Sequence, residues 1–539
     1  MKKLIYLLIV LIILSCSKKH EVDVIVTNAN IYTVNNAFSK AEAFAVKDGK
    51  FVEVGTTEDI TLKYKTSNIV DANGQTIVPG FIDAHCHFYG MGLELNRVDL
   101  TGTNSFEEVV QRVIDFQNER HLNYIIGIGW DQNDWSIKEF PTKNVLDSIF
   151  SNIPVALTRI DGHAMLCNQV ALDLAKIDKN TVIEGGQIVK YNEKLTGILI
   201  DNPMGIVEAT YPKPSKKEQI KALLEAQDIC AKLGLTTVSD AGLNKETIEL
   251  IDSLQQSGDL SMRVYAMVSN TKDNLDYYLL KGKIKTDKLN VQSVKVYSDG
   301  ALGSRGAALK KPYSDKHNHF GAMLLDLKAY ESLAQRIANS EYQMNTHAIG
   351  DSANSFVLKT YDKVLKGKTN RRWRVEHAQV VTDNDVEFFK NENIIPSIQP
   401  THATSDMYWA EDRLGEERVR GAYAYKTLLN ASGRVALGTD FPVENVSPFY
   451  TFYAAVARQD LKGYPENGYQ IENALTREET LKGMTIWAAY SSFEENEKGS
   501  IEAGKFADFI ILDKDIMMVD VKEIPDIKVA STFIGGKEL

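Results

Sequence analysis

Cysteine is scarce. The 539 residues contain four, Cys16, Cys86, Cys167 and Cys230, far apart and with no pair at metal-ligand spacing. A disulfide framework is therefore excluded as the organiser of the fold, and Cys167 and Cys230 read as small buried thiols. Runs of Lys or Arg long enough to follow a phosphate backbone are also missing, and 61 basic against 72 acidic side chains leave a formal charge of -11. Nucleic acid is not an expected partner. There is no internal repeat and no low-complexity tract. The one long apolar run, residues 4–14, is too short to cross a bilayer core of about 30 Å as a helix. What is present is 44% hydrophobic, 25% charged and 9% aromatic, which excludes disorder, collagen and coiled coil and allows a large core. The length fits two to four domains, or one large α/β barrel with a smaller unit.

The N-terminus reads as a targeting segment. Met1-Lys2-Lys3 gives a positive start, the apolar run follows, and Ser15-Cys16 closes it. Ile13-Leu14-Ser15-Cys16 resembles a bacterial lipoprotein signal, apart from Ile where Leu is usual three positions before the cysteine. The resemblance implies cleavage before Cys16, lipidation of Cys16, and a mature protein held by lipid in the cell envelope, on the periplasmic side or at the outer membrane of a bacterium. A plain signal peptide with an incidental cysteine is the alternative. In either case residues 1–20 are signal and linker, and the mature protein leaves the cytosol.

Residues 22–54 are short β-branched stretches broken by Asn35-Asn36 and Asp48-Gly49, which are hairpin signals. A second β-rich stretch, Phe509-Ile510-Ile511-Leu512, follows Gly499 to Asp508 near the other end. The expected organisation joins residues 21–76 and 488–539 in one small accessory β-sandwich. Between them apolar runs alternate with amphipathic stretches, the mark of repeated βα units. Eight strands are expected at residues 75–83, 235–240, 262–268, 291–297, 343–347, 373–377, 394–399 and 435–440. The fold class is α/β, a (β/α)8 TIM barrel over residues 77–487 with its active site at the C-terminal ends of the strands. A long insertion at about residues 90–221, with strand-like runs at 124–130 and 154–160, reads as a substrate lid or wall.

His85 and His87 stand two apart at the end of the first barrel strand, so both imidazoles project to one side and can share a metal ion. An H-x-H alone is weak, because two polar loop residues give the same pattern. Strand five, however, ends in His347, strand six in His377 and strand eight in Asp440. Imidazole and carboxylate ligands in this number suit a borderline divalent cation, with zinc the default and iron, manganese or cobalt also fitting. Lys295 lies in an apolar strand four. An edge charge or a snorkelling side chain would explain it alone, but beside metal a free ammonium would repel the cations. A carbamate formed with CO2 would turn the same side chain into an anionic bridge. Asp440 also fits a helix N-cap. Glu376 is expected to point away from the metal, as the strand neighbour of His377.

The motifs resemble the amidohydrolase superfamily, within it the amidohydrolase-3 branch that includes N-substituted formamide deformylases. The residues that carry the resemblance are Pro79-Gly80-Phe81-Ile82-Asp83-Ala84-His85, Asp161-Gly162-His163-Ala164, Lys295 with Asp299-Gly300 and Gly303-Ser304-Arg305, Gln399-Pro400-Thr401-His402, and the stretch from Gly499 to Asp508. The resemblance implies that His85 and His87 bind one metal and His347 and His377 a second. It further implies that carboxylated Lys295 bridges the two and that Asp440 binds metal and acts as acid/base. One or two divalent ions are expected, two favoured. His163 and His402 are candidates to orient a substrate carbonyl or stabilise an oxyanion, or are imidazoles satisfied by backbone carbonyls. Trp130, Trp135, Tyr408 and Trp409 are candidate pocket walls, and Gly303-Ser304-Arg305 a candidate anion contact. The function this implies is metal-dependent hydrolysis of a non-peptide C–N bond, amide or N-formyl/N-acyl. The alternatives are a mononuclear deaminase or cyclic amidohydrolase, and a catalytically silent envelope lipoprotein. The expected partners are a small-molecule substrate, the membrane through the lipid alone, and a second copy in a homodimer.

Overall fold

The computed structural model describes residues 19–160, 162, 164–183 and 186–539. Cys16, Asp161 and His163 lie outside the described residues. The chain forms two compact units, Met1–Phe88 with Leu224–Leu539, and Tyr89–Leu223.

The first unit holds eight parallel strands in sequential order: β1 (Phe81–Cys86), β2 (Leu235–Leu243), β3 (Arg263–Ser269), β4 (Leu289–Tyr297), β5 (Gln343–Ala348), β6 (Trp373–His377), β7 (Ile394–Ile398) and β8 (Ala436–Leu437). Helices such as Lys245–Ser257, Leu327–Ala338 and Asp351–Val364 connect them. Their starts and stops are local. Asp326 accepts from the Lys328 and Ala329 amides to open Leu327–Ala338, and Gly258, in the left-handed region, closes Lys245–Ser257. The strands are buried on both faces, which is why they read as apolar runs rather than alternations.

Strand β8 is short, and the barrel closes by other means. The Asp440 N–H donates to His85 O at 2.8 Å and the His87 N–H to Phe441 O at 2.8 Å. The Asp83 carboxylate accepts from Thr439 Oγ1 at 2.7 Å and from the His85 amide at 3.0 Å. Closure requires Gly438, where a Cβ would lie 2.5 Å from His85 N and 2.8 Å from Asp83 Oδ1.

The expected first strand is two strands. Thr76–Pro79 pairs with Phe509–Leu512 and Asn30–Tyr32 in an accessory sheet, and β1 begins only after Gly80. At that pivot a Cβ would meet Thr236 at 2.3 Å, so the chain passes close to β2 only because residue 80 is glycine. The boundary expected at residue 77 is accordingly at Gly80. At the other end, Ala488 and Ala489 of helix Ile486–Ser491 pack with Ile82, Ala84 and Ala436, so that helix belongs to the barrel.

The accessory domain has a four-stranded and a six-stranded sheet. They share a core of Val24, Val26, Phe44, Phe51, Ile77, Phe509 and Phe533. Phe509 stacks on Phe533 at 4.3 Å and meets Phe44 edge-on at 4.8 Å, so N-terminal and C-terminal segments form one sandwich. Arg263 of β3 joins barrel to sandwich through a buried two-pronged pair with Asp508, at 2.6 and 2.9 Å.

The unit Tyr89–Leu223 is a folded α/β domain, not a loop. Its sheet runs Arg97–Asp99, Ile125–Trp130, Val155–Arg159, Ala164–Cys167, Lys194–Asp201, Gly186–Tyr191, with the first three strands parallel. Side chains alternate between two cores, with Val155, Leu157, Leu166 and Ile198 on one face and Ala156, Met165, Cys167 and Leu199 on the other. Trp130 and Trp135 belong to the first of these cores, donating to Leu157 O and Thr103 O. They fill this core and do not line the cavity at the strand ends described below.

Candidate metal centre

The C-terminal ends of the barrel strands surround a cavity of about 360 Å³. It is lined by His85 and the following His87 from β1, Lys295 from β4, His347 from β5, His377 from β6, His402 after β7 and Asp440 after β8. Every described residue expected to bind metal or act in catalysis is therefore in one cavity.

Asp440 is the hub. Its Oδ1 lies 3.2 Å from His87 Nε2 and 3.5 Å from His85 Nε2, and its Oδ2 3.7 Å from His402 Nε2. The His377 ring is 4.9 Å from that of His85, 4.5 Å from that of His347, and stacked at 5.7 Å on that of His402. Donor atoms of His85, His377 and Asp440 all fall within 4.8 Å of one another.

Two hydrogen bonds fix which nitrogens face inward. His85 Nδ1 donates to Glu376 Oε2 at 2.5 Å, because a carboxylate only accepts, so Nε2 carries the lone pair and accepts from Lys295 Nζ at 2.8 Å. His377 Nδ1 donates to Gln399 Oε1 at 2.8 Å, which turns its Nε2 to the site. Outer partners of this kind set the tautomer and orientation of metal-binding imidazoles.

Burial drives His85 and His377 below their ordinary values, and His347 to about 3, with the Lys295 charge acting in the same direction. These imidazoles are held neutral, the form that ligates metal. Burial also lowers Lys295. For Asp440 burial acts upward but is outweighed by the His87 hydrogen bond and the surrounding imidazoles, so the group stays ionised. Glu376, opposed by burial in the same way, is held at about 2 by His85, Arg374 and Lys295.

The unpaired atoms of the donor set call for a divalent metal. His347 Nε2 and His402 Nε2 are buried without a hydrogen-bond partner, a state that costs about 1–3 kcal/mol per group when nothing compensates. Neutral imidazoles around an ionised carboxylate are the ligand chemistry of zinc and similar ions. The residues fit.

The model of the amidohydrolase family, Amidohydro_3, matches residues 68–539. The chain belongs to the amidohydrolase family. It is similar to protein LONG AFTER FAR-RED 3 of Arabidopsis thaliana, 31% identical over 538 residues that cover 96% of this chain and 91% of the relative. It is 26% identical to the N-substituted formamide deformylase of Arthrobacter pascens, over 95% of this chain and 97% of the relative. Among solved structures, an uncharacterized metal-dependent hydrolase from Pyrococcus horikoshii OT3 shares the fold with a TM-score of 0.79 at 29% identity, covering 92% of this chain and 99% of that one. This amidohydrolase is accordingly a hydrolase.

Two expectations about the amidohydrolase site need correction, those for Arg305 and Tyr408. Glu376 does not line the cavity; it reaches across the barrel interior to His85. His377 is the last residue of β6 and lines the cavity, with a left-handed backbone, φ 71° there and 41° at Ala378, where the chain turns out of the strand. Arg305 is not free for an anion, since Nε and Nη2 bind Asp315 at 3.0 and 2.7 Å. Of the aromatic candidates Trp409 lines the cavity, whereas Tyr408 is exposed and stacks on Tyr464.

Sequence reasoning missed three functional supports. Gln399 stands in a motif of the amidohydrolase but carried no assigned role. Asp83 clamps β8 to β1. Asp299 accepts from the Ile349, Gly350 and Ala308 amides at 2.8–3.0 Å, which fixes the loop after β5 beside His347. A carboxyl inside an apolar strand was the available signal for Asp83, and one just past the end of an apolar strand for Asp299.

Proposed function

We propose that this amidohydrolase splits a non-peptide C–N bond of an N-formyl or N-acyl amine, with metal and Asp440 as its working parts. The observation that carries the reading is Asp440, an ionised carboxylate 3.2–3.7 Å from three imidazoles at the mouth of the barrel. The kinship with an N-substituted formamide deformylase supports the choice of bond.

His85 and His87 would hold one divalent ion and His347 and His377 a second, with Asp440 and carboxylated Lys295 as oxygen ligands. A bound ion of this kind, zinc first among the candidates, acidifies water and polarises a carbonyl. Asp440 Oδ1 receives the proton of the attacking water as the C–O bond forms, and hands it to the amine nitrogen as the C–N bond breaks. Water and amide are thereby converted to amine and carboxylic acid. His402, whose Nε2 has no hydrogen-bond partner, would hold the carbonyl oxygen.

A second reading is a one-metal site of the deaminase kind, favoured by the observation that among the described residues His85, His377 and Asp440 are the one group of three or more whose donor atoms all lie within 4.8 Å of one another. Elemental mass spectrometry of protein purified without chelator separates the two. Two ions per chain with turnover of N-formyl or N-acyl amines is the expected result. One ion with release of ammonia would select the deaminase, and a loaded chain inert on both panels would leave a silent binding protein.

A further inference from the structure

Beyond the ligands, the cavity wall divides by chemistry. One part is apolar, made by Tyr297, Leu302, Ile349 and Trp409. The Trp409 ring packs against the chain at Gly303, where a Cβ would be 3.1 Å from Cη2 and Cζ2. The other part is acidic. Asp406 and Glu444 both line the cavity, and Ser405 lies between them, its Oγ donating to Glu444 Oε1 at 2.6 Å and reaching Asp406 Oδ1 at 3.4 Å. Asp406 is fixed by the Tyr423 hydroxyl at 2.8 Å and by Gln379 Nε2 at 3.2 Å.

Positive charge is lacking where a substrate would need it. Among the described residues lining the cavity Lys295 is the only Lys or Arg, and its Nζ is committed to His85. Arg305 and Arg413, the arginines nearest in sequence to Gly303 and Trp409, are both bound to Asp315. The buried, unpartnered His402 Nε2 in the same cavity marks where a substrate polar atom is wanted. A carboxylate on the amine substituent would lose water beside two acidic side chains and meet no Lys or Arg in return, since the metal positions belong to the scissile carbonyl and the water. An aromatic or aliphatic group would bury against Trp409, and a cationic one would also gain from Asp406 and Glu444.

Resting on the N-acyl amine reading above, we propose that Asp406 and Glu444 select by charge: the site takes N-formyl or N-acyl amines whose substituent is apolar and neutral or cationic, and rejects N-acyl amino acids. The test uses three matched formamides of benzylamine, unsubstituted, bearing an α-carboxylate, and bearing a ring aminomethyl group. The neutral and cationic compounds should exceed the carboxylate in kcat/KM by at least about tenfold, the scale of like-charge exclusion. The Asp406→Asn/Glu444→Gln double variant should close that gap, and added salt should narrow it in the wild type. Equal turnover of the carboxylate, or a gap unchanged in the variant, overturns the proposal. If the metal-loaded chain cleaves none of the three, the hydrolase reading has failed. Charge selection is then read from calorimetric binding of the same compounds, where the same order supports it and equal affinity refutes it.

Discussion

Glu376 Oε2 and His85 Nδ1 meet at 2.5 Å inside the barrel, both side chains fully buried, with Lys295 on the opposite ring nitrogen. The glutamate fixes the tautomer of His85 without touching the cavity. Glu376→Gln keeps an acceptor but loses the charge, so divalent-metal affinity should fall by about 10–100-fold, the usual effect of an outer partner. Competition with a chromophoric chelator measures this directly, and unchanged affinity with a native circular dichroism spectrum would remove Glu376 from that role.

Why this pair was invisible in the sequence is physical. Strand alternation sends Glu376 and His377 to opposite sides, and it does so. What it omits is the partner across the barrel: His85 lies 291 positions before Glu376, and the acceptor for His377 Nδ1, Gln399, twenty-two residues on. The same limit explains the split first strand. Residues 75–83 form one continuous buried run, and the break at Gly80 is set by Thr236, a contact across 156 positions. By contrast, β2 to β7 and the cavity-lining side chains Lys295, His347 and His377 at their ends were legible, because two-sided burial writes apolar runs and the barrel aims strand ends inward. Arg305 was misjudged because its partner Asp315 sits in a loop with no periodicity to read.

Lys295 yields a prediction about occupancy. Lys295→Ala should lower metal content per chain, and short carboxylates such as acetate or propionate should restore part of it by standing in for the oxygen ligand that a carboxylated Lys295 would supply. Elemental mass spectrometry with and without carboxylate gives the answer. Full occupancy in the unsupplemented variant would exclude the lysine as a ligand.

Asp440 should separate binding from chemistry. Asp440→Asn preserves the shape of the hub and one oxygen, so metal content should remain largely intact. The amide cannot accept the proton of the attacking water, and kcat should fall by about 10²–10⁴-fold, the range for loss of a general acid/base. Steady-state kinetics on metal-quantified protein tests this, and retained turnover would assign the proton transfer elsewhere.

Stability at the floor of the barrel depends on a second buried carboxylate. Glu494, 3% exposed, accepts from Lys285 Nζ at 2.5 Å and forms an ion pair with Lys498 Nζ at 2.9 Å, and Lys498 is itself 4% exposed. Burial pushes the Glu494 carboxyl up, but Lys498 and Lys285 outweigh it and hold it below the ordinary 4.5. The unfolded chain then binds the proton more readily than the folded one, so the pair stabilises the fold above that value and loses its effect as pH falls through and below it. Glu494→Gln leaves Lys498 buried without a counter-charge and should destabilise the protein by about 3–5 kcal/mol near neutrality. Urea unfolding at pH 7 and pH 4 should show the gap between wild type and variant shrinking on acidification. A gap that is constant across this range would mean that the lysines, not the carboxylate, govern the loss.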